Sequence, residues 1–188
     1  MEKINNICKN DKKFFRKIFK NNSPPEFNII ILPTKNEYNS FITTFDKLLS
    51  DNINKNYFQG KVELIEYTEE KEKIHKGTLR LLEEWLENIG VETEIIYKII
   101  NPIKDVRKQR NKPSHSIYDD EYNIDFIIKQ TEILIVVYHS LKCLIEELIK
   151  YYKLNNFCLD SWFVDNEIST HSLDEIKIED NINYQMPL

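Results

Sequence analysis

Residues Asn123 to Leu154, NIDFIIKQTEILIVVYHSLKCLIEELIKYYKL, are the longest stretch of the chain with helical periodicity. At about 100° per residue, they form a helix with one broad apolar face and a second apolar seam beside it. The broad face comprises Ile124, Ile127, Ile128, Leu134, Ile135, Tyr138, Ile145 and Ile149, and the seam comprises Phe126, Ile133, Val137 and Leu144. The polar arc is left with Asp125, Lys129, Glu132, His139, Ser140, Glu147 and Lys150. An apolar arc this wide needs two packing partners, which predicts either two neighbours in a helical bundle or one core and a second subunit.

A second helix is predicted immediately after Thr34. Thr34 followed by Glu37 is a capping-box signature, and apolar residues at helical spacing continue to about residue 51. One or two shorter helices are expected over residues 2–20, with Asp11 as a candidate N-cap.

Two further helices precede the long one. Thr78 is a candidate N-cap for the first, and Gly90 can end it in the left-handed conformation. Thr93 can begin the next, which Pro102 interrupts either as a kink or as the first-turn residue of a fresh helix. Pro113 should then end this helix near Asn111.

Extended structure is expected in only two places. Residues 27–32 form a short apolar run that suits a strand or an extended chain. Within residues 57–67 neither period dominates, and a small hairpin turning at Gln59 and Gly60 is the candidate. The sequence therefore predicts an all-α fold with minor extended segments.

Composition limits the protein class. The chain has 188 residues, 41% apolar and 30% charged, with a net charge of −5, which favours one soluble domain and excludes a uniformly basic surface. We expect a helical domain over residues 1–154 and an acidic extension over 155–188, where seven acids face the single Lys177. Three widely spaced cysteines predict neither disulfides nor zinc and suit a reducing cytoplasm. The charged N-terminus and short apolar runs predict neither secretion nor a membrane span.

The segment IKDVRKQRNKPSH, residues 103–115, carries the candidate chemistry. Within it, five basic residues accompany one acid in an otherwise acidic chain, and the five are Lys104, Arg107, Lys108, Arg110 and Lys112. Cations that hold a phosphate, next to a histidine that titrates near neutrality, are what metal-free phosphodiester cleavage needs. The simpler interpretation is a solvated helix end that offsets the helix macrodipole. With 3 glycines the chain lacks a phosphate-binding glycine loop, so no nucleotide cofactor is predicted.

The motif RNKPSH, led in by IKDVRKQ, preceded by KGTLRLLEEWL and followed by the long apolar helix, resembles the HEPN superfamily. In that superfamily Arg, usually followed by a polar residue, precedes His by four to six intervening positions. Arg110, Asn111 and His115 fill these places here. The resemblance covers roughly residues 34–154 and includes the segment DKLLSDNIN, and it looks closest to a bacterial ribonuclease-like branch.

The resemblance implies an all-α bundle that forms a homodimer with two motifs facing each other across a shared cleft. Many members are metal-independent ribonucleases, often toxins or antiphage effectors with an antitoxin or other regulatory partner. Carried over, His115 is the general acid and base, Arg110 stabilises the phosphate, and Asn111 orients the site. The neighbouring Lys104, Arg107, Lys108 and Lys112 would contact RNA, and Tyr118 could stack on a base or pack against the bundle. Some members are inactive domains that bind proteins or nucleotides, which is the alternative.

Overall fold

The structure is a computed structural model that describes residues 1–18, 30–110, 121–154 and 157. The chain divides into two units, Met1–Asn155 and Asn156–Leu188. Almost all of the predicted acidic extension and residues 27–29 of the predicted extended run lie outside the described residues. So does the part of the motif that follows Arg110.

The first unit is mostly helical, as predicted, with one small antiparallel sheet. The helices are α1 (Glu2–Ile7), α2 (Lys35–Asp46), α3 (Thr78–Asn88), α4 (Thr93–Arg110) and α5 (Asp125–Tyr151). A π-helical turn (Lys47–Asp51) continues α2, and a 3-10 turn covers Lys55–Phe58. The two strands are β1 (Ile65–Tyr67) and β2 (Lys73–His75). Among the described residues, no helix combines the length and the apolar content that crossing a membrane requires.

Helix α5 packs mainly on α4, and also on α1 and α2. The sequence left open which apolar side of α5 faces the core, and in the structure the narrow seam is the more deeply buried side. Phe126, Val137 and Leu144 are buried there, whereas most of the predicted broad face is half-buried and Ile124 is 37% exposed. The seam faces α4, and the helix therefore keeps partly exposed apolar surface beside its core face.

Two residues assigned to the polar arc of α5 are buried instead. Ser140 is 1% exposed, and its hydroxyl donates a hydrogen bond to the carbonyl of Ile99 on α4 (2.6 Å). Glu147 is 9% exposed and pairs with Lys150 (2.6 Å). A serine hydroxyl that is hydrogen-bonded to a backbone carbonyl can be buried between two helices at little cost in free energy. The periodicity of the sequence does not reveal such a hydrogen bond.

Helix α2 begins as predicted. Thr34 is its N-cap, and the Thr34 hydroxyl accepts a hydrogen bond from the Glu37 amide (3.3 Å). The predicted end near residue 51 is also correct, but the last turn is π-helical. This wider turn ends at Asp51, which contacts the end of α4.

The boundaries of α3 and α4 needed two corrections. Gly77, not Thr78, is the N-cap of α3, because the Thr78 hydroxyl donates to the Ser50 carbonyl (2.8 Å). Gly90 has φ +81°, as its predicted terminating role requires. Pro102 lies inside α4, which runs without interruption from Thr93 to Arg110, so it starts no new helix.

The N-terminal segment holds one helix, α1, among residues 1–18, where one or two were expected. Asp11 caps no helix and instead accepts hydrogen bonds from Lys61 and Tyr152. Beyond α1, Phe14 and Phe15 enter an aromatic cluster that includes Tyr57, Phe58 and Trp85, all buried. The cluster fixes the N-terminus against α3.

The predicted hairpin at Gln59 and Gly60 is wrong. Gly60 does adopt φ +81°, but a 3-10 turn precedes it and no strands flank it. The hairpin comes later, with Ile65 opposite His75 and Tyr67 opposite Lys73. Residues 30–32 of the other predicted extended run contain no strand.

Candidate functional site

The described part of the motif segment is the last eight residues of α4, Ile103 to Arg110, which make about two turns. Lys104, Arg107, Lys108 and Arg110 lie there. The structure describes nothing between Arg110 and Glu121, so the predicted roles of Asn111, Lys112, His115 and Tyr118 stay predictions. What the structure adds is the environment of the motif arginine.

Arg110 continues the buried stripe of α4, as its spacing predicts. Ile99, Ile103 and Val106 are 0, 2 and 1% exposed, and each successive turn brings the stripe closer to Arg110. Arg107 and Arg110 are three residues apart, which places them on neighbouring turns of one helix face. Because α4 packs on α2, that face meets the end of α2.

Arg110 is held by a buried carboxylate. Its Nη1 donates to Oδ2 of Asp46 at 2.7 Å, and the Asp46 side chain is fully buried while that of Arg110 is 33% exposed. Hydrogen bonding to Asp46 raises the pKa of Arg110 above its already high ordinary value, and burial opposes this. The guanidinium is therefore permanently charged and fixed at its inner edge.

A second carboxylate bridges the two arginines. Oδ1 of Asp51 accepts from Nη2 of Arg107 at 2.7 Å, and Oδ2 accepts from Nη1 of Arg110 at 3.2 Å. Asp46 also approaches Nε of Arg107, at 3.7 Å. We call Asp46, Asp51, Arg107 and Arg110 the acid–arginine cluster.

The π-helical turn explains how both carboxylates reach the arginines. In an α-helix, residues five apart differ by about 140° in direction, so Asp46 and Asp51 would point to different sides. The wider turn over Lys47–Asp51, with its i to i+5 hydrogen bonds, brings such residues closer to one face. π-helical turns recur at functional sites, and this one ends at Asp51, which pairs with both arginines.

The two carboxylates differ in their surroundings. Asp46 is buried and accepts a further, short hydrogen bond from the Ser50 hydroxyl, which also reaches the Asp46 carbonyl (3.0 Å). The Asp51 side chain is 41% exposed. A buried carboxylate without partners is very costly, so Asp46 must keep its arginine contacts. Asp51 faces water and loses much less when its contacts break.

The N-terminal segment fixes the chain that carries Asp51. The Arg16 guanidinium donates to the carbonyl oxygen of Asp51, and the Arg16 amide donates to the Asn52 carbonyl (2.9 Å). The Asn52 side chain accepts a hydrogen bond from the Lys17 amide (2.8 Å) and donates one to the Lys17 carbonyl (3.0 Å). The position of Asp51 is thus set by its backbone, independently of its carboxylate.

The other described cations of the segment also have acidic partners. Lys104 contacts Glu83 of α3 at 2.8 Å, and Lys108 contacts Asp105 at 2.9 Å. Asp46, Asp51 and Glu83 come from elsewhere in the chain, and together with Asp105 these four acids match the four described cations of the segment in charge. The strongly basic surface implied by the sequence is therefore largely neutralised by folding.

Sequence reasoning gave no role to Asp46, Asp51 or Glu83. One signal for Asp46 was present: it lies at helical spacing from Ile42 and Leu49, so a carboxylate occupies the apolar stripe of α2. Charged residues at such positions are buried only when paired. Among the described residues, no group of three or more His, Cys, Asp or Glu is arranged to bind a metal ion.

Comparisons with known proteins add no relative: no family model matches the chain, and no curated protein and no solved structure gives a significant match.

Proposed function

We propose that the chain is a metal-independent endoribonuclease of HEPN type that acts as a homodimer, in the role of a toxin or antiphage effector. One observation carries the proposal: Arg110 is held by ion pairs at the end of α4, five positions before His115 in a motif that resembles the HEPN signature. An arginine fixed at its inner edge keeps its remaining N–H groups for a phosphate oxygen.

In the proposed reaction, His115 removes the proton of the ribose 2′-hydroxyl, and the oxygen attacks the adjacent phosphorus. The bond to the 5′-oxygen of the next nucleotide breaks, and that oxygen takes up a proton. The products are a 2′,3′-cyclic phosphate and a 5′-hydroxyl. Arg110 stabilises the negative charge that builds on the phosphate oxygens. A dimer supplies a second His115, so that one histidine can act as base and the other as acid.

The proposal is tested by cleavage of a total-RNA pool with the wild type and with His115→Ala. We expect the variant to cleave at least about 100-fold more slowly, the usual contribution of a general acid or base. His139→Ala is the matched control, because His139 is exposed on α5 and outside the motif. End-group analysis of the fragments should find 2′,3′-cyclic phosphates. A folded His115→Ala protein with wild-type cleavage rejects the proposal.

A second candidate is a catalytically inactive helical domain that binds a protein or nucleotide partner. A groove of about 190 Å³ between α4 and α5 supports it, lined by residues that include Pro102, Val106, Ile133 and Val136. Val136 is 50% exposed there. Sedimentation measures the oligomeric state. A strict monomer has one His115 per site and favours the binding domain, whereas a dimer is compatible with both candidates.

A further inference from the structure

We infer that Arg107 and Arg110 form a phosphate-binding subsite for the RNA backbone, and that the Asp51 carboxylate occupies it until a phosphodiester displaces it. The inference deepens the proposed ribonuclease function and rests on it for the identity of the ligand. It assigns opposite roles to the two acids of the cluster. Asp46 positions the arginines, and Asp51 competes with the substrate.

The geometry of Asp51 supports the subsite. Its two oxygens are shared between two guanidinium groups, one oxygen to Arg107 (2.7 Å) and one to Arg110 (3.2 Å). Two non-bridging oxygens of a phosphodiester can make the same pair of contacts, because arginine binds carboxylates and phosphates through the same planar array of donors. The carboxylate is thus a stand-in for the phosphate.

Exposure identifies which acid can leave. The Asp51 side chain is 41% exposed, and the two arginine side chains are 34 and 33% exposed, so a phosphate can reach this side of the cluster from solvent. Asp46 is fully buried behind the arginines and also bonded by Ser50. If Asp51 rotates into water, Asp46 still holds Arg110 by a 2.7 Å hydrogen bond and still lies 3.7 Å from Nε of Arg107. The exchange therefore breaks two partly exposed ion pairs of Asp51 and leaves the buried pairing of Asp46 with Arg110 intact.

The chain around Asp51 need not move during this exchange. Arg16 binds the backbone carbonyl of Asp51, and Asn52 is tied to Lys17. Only the side chain of Asp51 has to change its direction. Replacement of its carboxylate by an amide should leave these backbone contacts in place.

The test measures binding of a fluorescein-labelled, single-stranded RNA of mixed sequence by anisotropy. All proteins carry His115→Ala, so that binding is followed without cleavage. Asp51→Asn should bind the RNA about two- to fivefold more tightly than the parent, the range set by the strength of an exposed ion pair. Asp46→Asn, which loosens the arginines, should bind it more weakly.

Glu94→Gln is the matched control, because it removes one negative charge from an exposed ion pair of α4, with Lys98, and leaves the basic segment and the acid–arginine cluster intact. If Asp51→Asn gains affinity for RNA and Glu94→Gln does not, the subsite is supported. Equal gains in RNA affinity by both variants would reject the inference, because the loss of one negative charge would explain them. No gain by Asp51→Asn would also reject it, because the Asp51 carboxylate would then not compete with RNA. Asp51→Ser gives the same readout should Asp51→Asn fail to fold.

Kinetics in the His115 background separate this inference from the proposed function. Asp51→Asn should lower KM for RNA with little change in kcat, whereas Asp46→Asn should lower kcat. If the wild type cleaves no RNA but Asp51→Asn binds RNA more tightly, the subsite is supported and the ribonuclease function is rejected. If the wild type cleaves RNA but Asp51→Asn changes neither KM nor affinity, the ribonuclease function is supported and the subsite is rejected.

Discussion

At the scale of single residues, Arg110 serves the fold as well as the proposed reaction. It is a partner of the fully buried Asp46, so its removal leaves a carboxylate in the protein interior with Arg107 and Ser50 alone. Loss of activity in Arg110→Ala would therefore not by itself demonstrate a catalytic role. A more informative substitution keeps the charge and changes the donor geometry.

Arg110→Ala should lower the free energy of unfolding by about 3 kcal/mol, the lower end of the range for breaking a buried ion pair, because the arginine is partly exposed. Arg110→Lys keeps a cation near Asp46 and should cost only about 1 kcal/mol, yet it loses the planar donor array and should still impair cleavage. Urea unfolding measures the first effect, and RNA cleavage measures the second.

Lys108→Ala serves as the control for this pair, because the Lys108 side chain is 75% exposed and its pair with Asp105 should contribute little. A value within about 0.5 kcal/mol of the wild type is expected. Equal stability of Arg110→Ala and Lys108→Ala would show that Asp46 does not depend on Arg110.

At the scale of elements, the ends of helices decide where the site residues lie. The π-helical turn after α2 brings Asp46 and Asp51 towards the same arginines. Gly90 lies in the short connection between α3 and α4. Gly90 has φ +81°, a conformation that costs a residue with a Cβ atom about 1–2 kcal/mol. No atom lies within 4 Å of the position that an added Cβ would take.

Gly90→Ala should therefore destabilise the protein by about 1 kcal/mol through backbone conformation alone. Gly77→Ala is a matched control, because Gly77 also has open space around it but a φ of −71°. The control should lose less stability than Gly90→Ala, because alanine adopts this φ without strain and the lower entropy of the unfolded chain offsets its poorer capping. Thermal or urea unfolding of the two variants gives the comparison, and equal losses would contradict the explanation.

At the scale of the whole molecule, the N-terminus is tied to the C-terminal end of α5. Tyr152 donates to the Asp11 carboxylate at 2.9 Å, and Lys61 pairs with the same oxygen at 2.5 Å. Burial acts to raise the pKa of Asp11, but the hydrogen bonds from Lys61, the Lys12 amide and Tyr152 bring it below the ordinary value of 3.8. This contact joins residues 141 positions apart.

A lowered pKa in the folded state means that Asp11 stabilises the protein above its ordinary pKa. That contribution is lost as the pH falls through the lower folded value. The difference in unfolding free energy between the wild type and Asp11→Asn should be constant from about pH 5 to 7 and should shrink below about pH 4. Urea unfolding at several pH values measures it. A difference that stays constant below about pH 4 would contradict this explanation.

Most of the helical fold could be predicted from the sequence, because a helix depends on neighbours three and four residues away. The start of α2 at Thr34, the left-handed Gly90 and the extent of α5 were all predicted from local patterns. The core face of α5 was not, because two apolar sides are equally visible in the sequence. Packing against α4 selected the seam that holds Val137 and Leu144.

The sequence by itself located the basic segment, with Arg107 and Arg110, beside the HEPN-like motif. Only the tertiary structure decided which acids meet them. Asp46 and Asp51 lie 64 and 59 positions from Arg110, and Glu83 lies 21 positions from Lys104. The physical reason is that charge interactions act through space. A segment that is strongly basic along the chain is therefore nearly balanced once α2 and α3 have packed against α4.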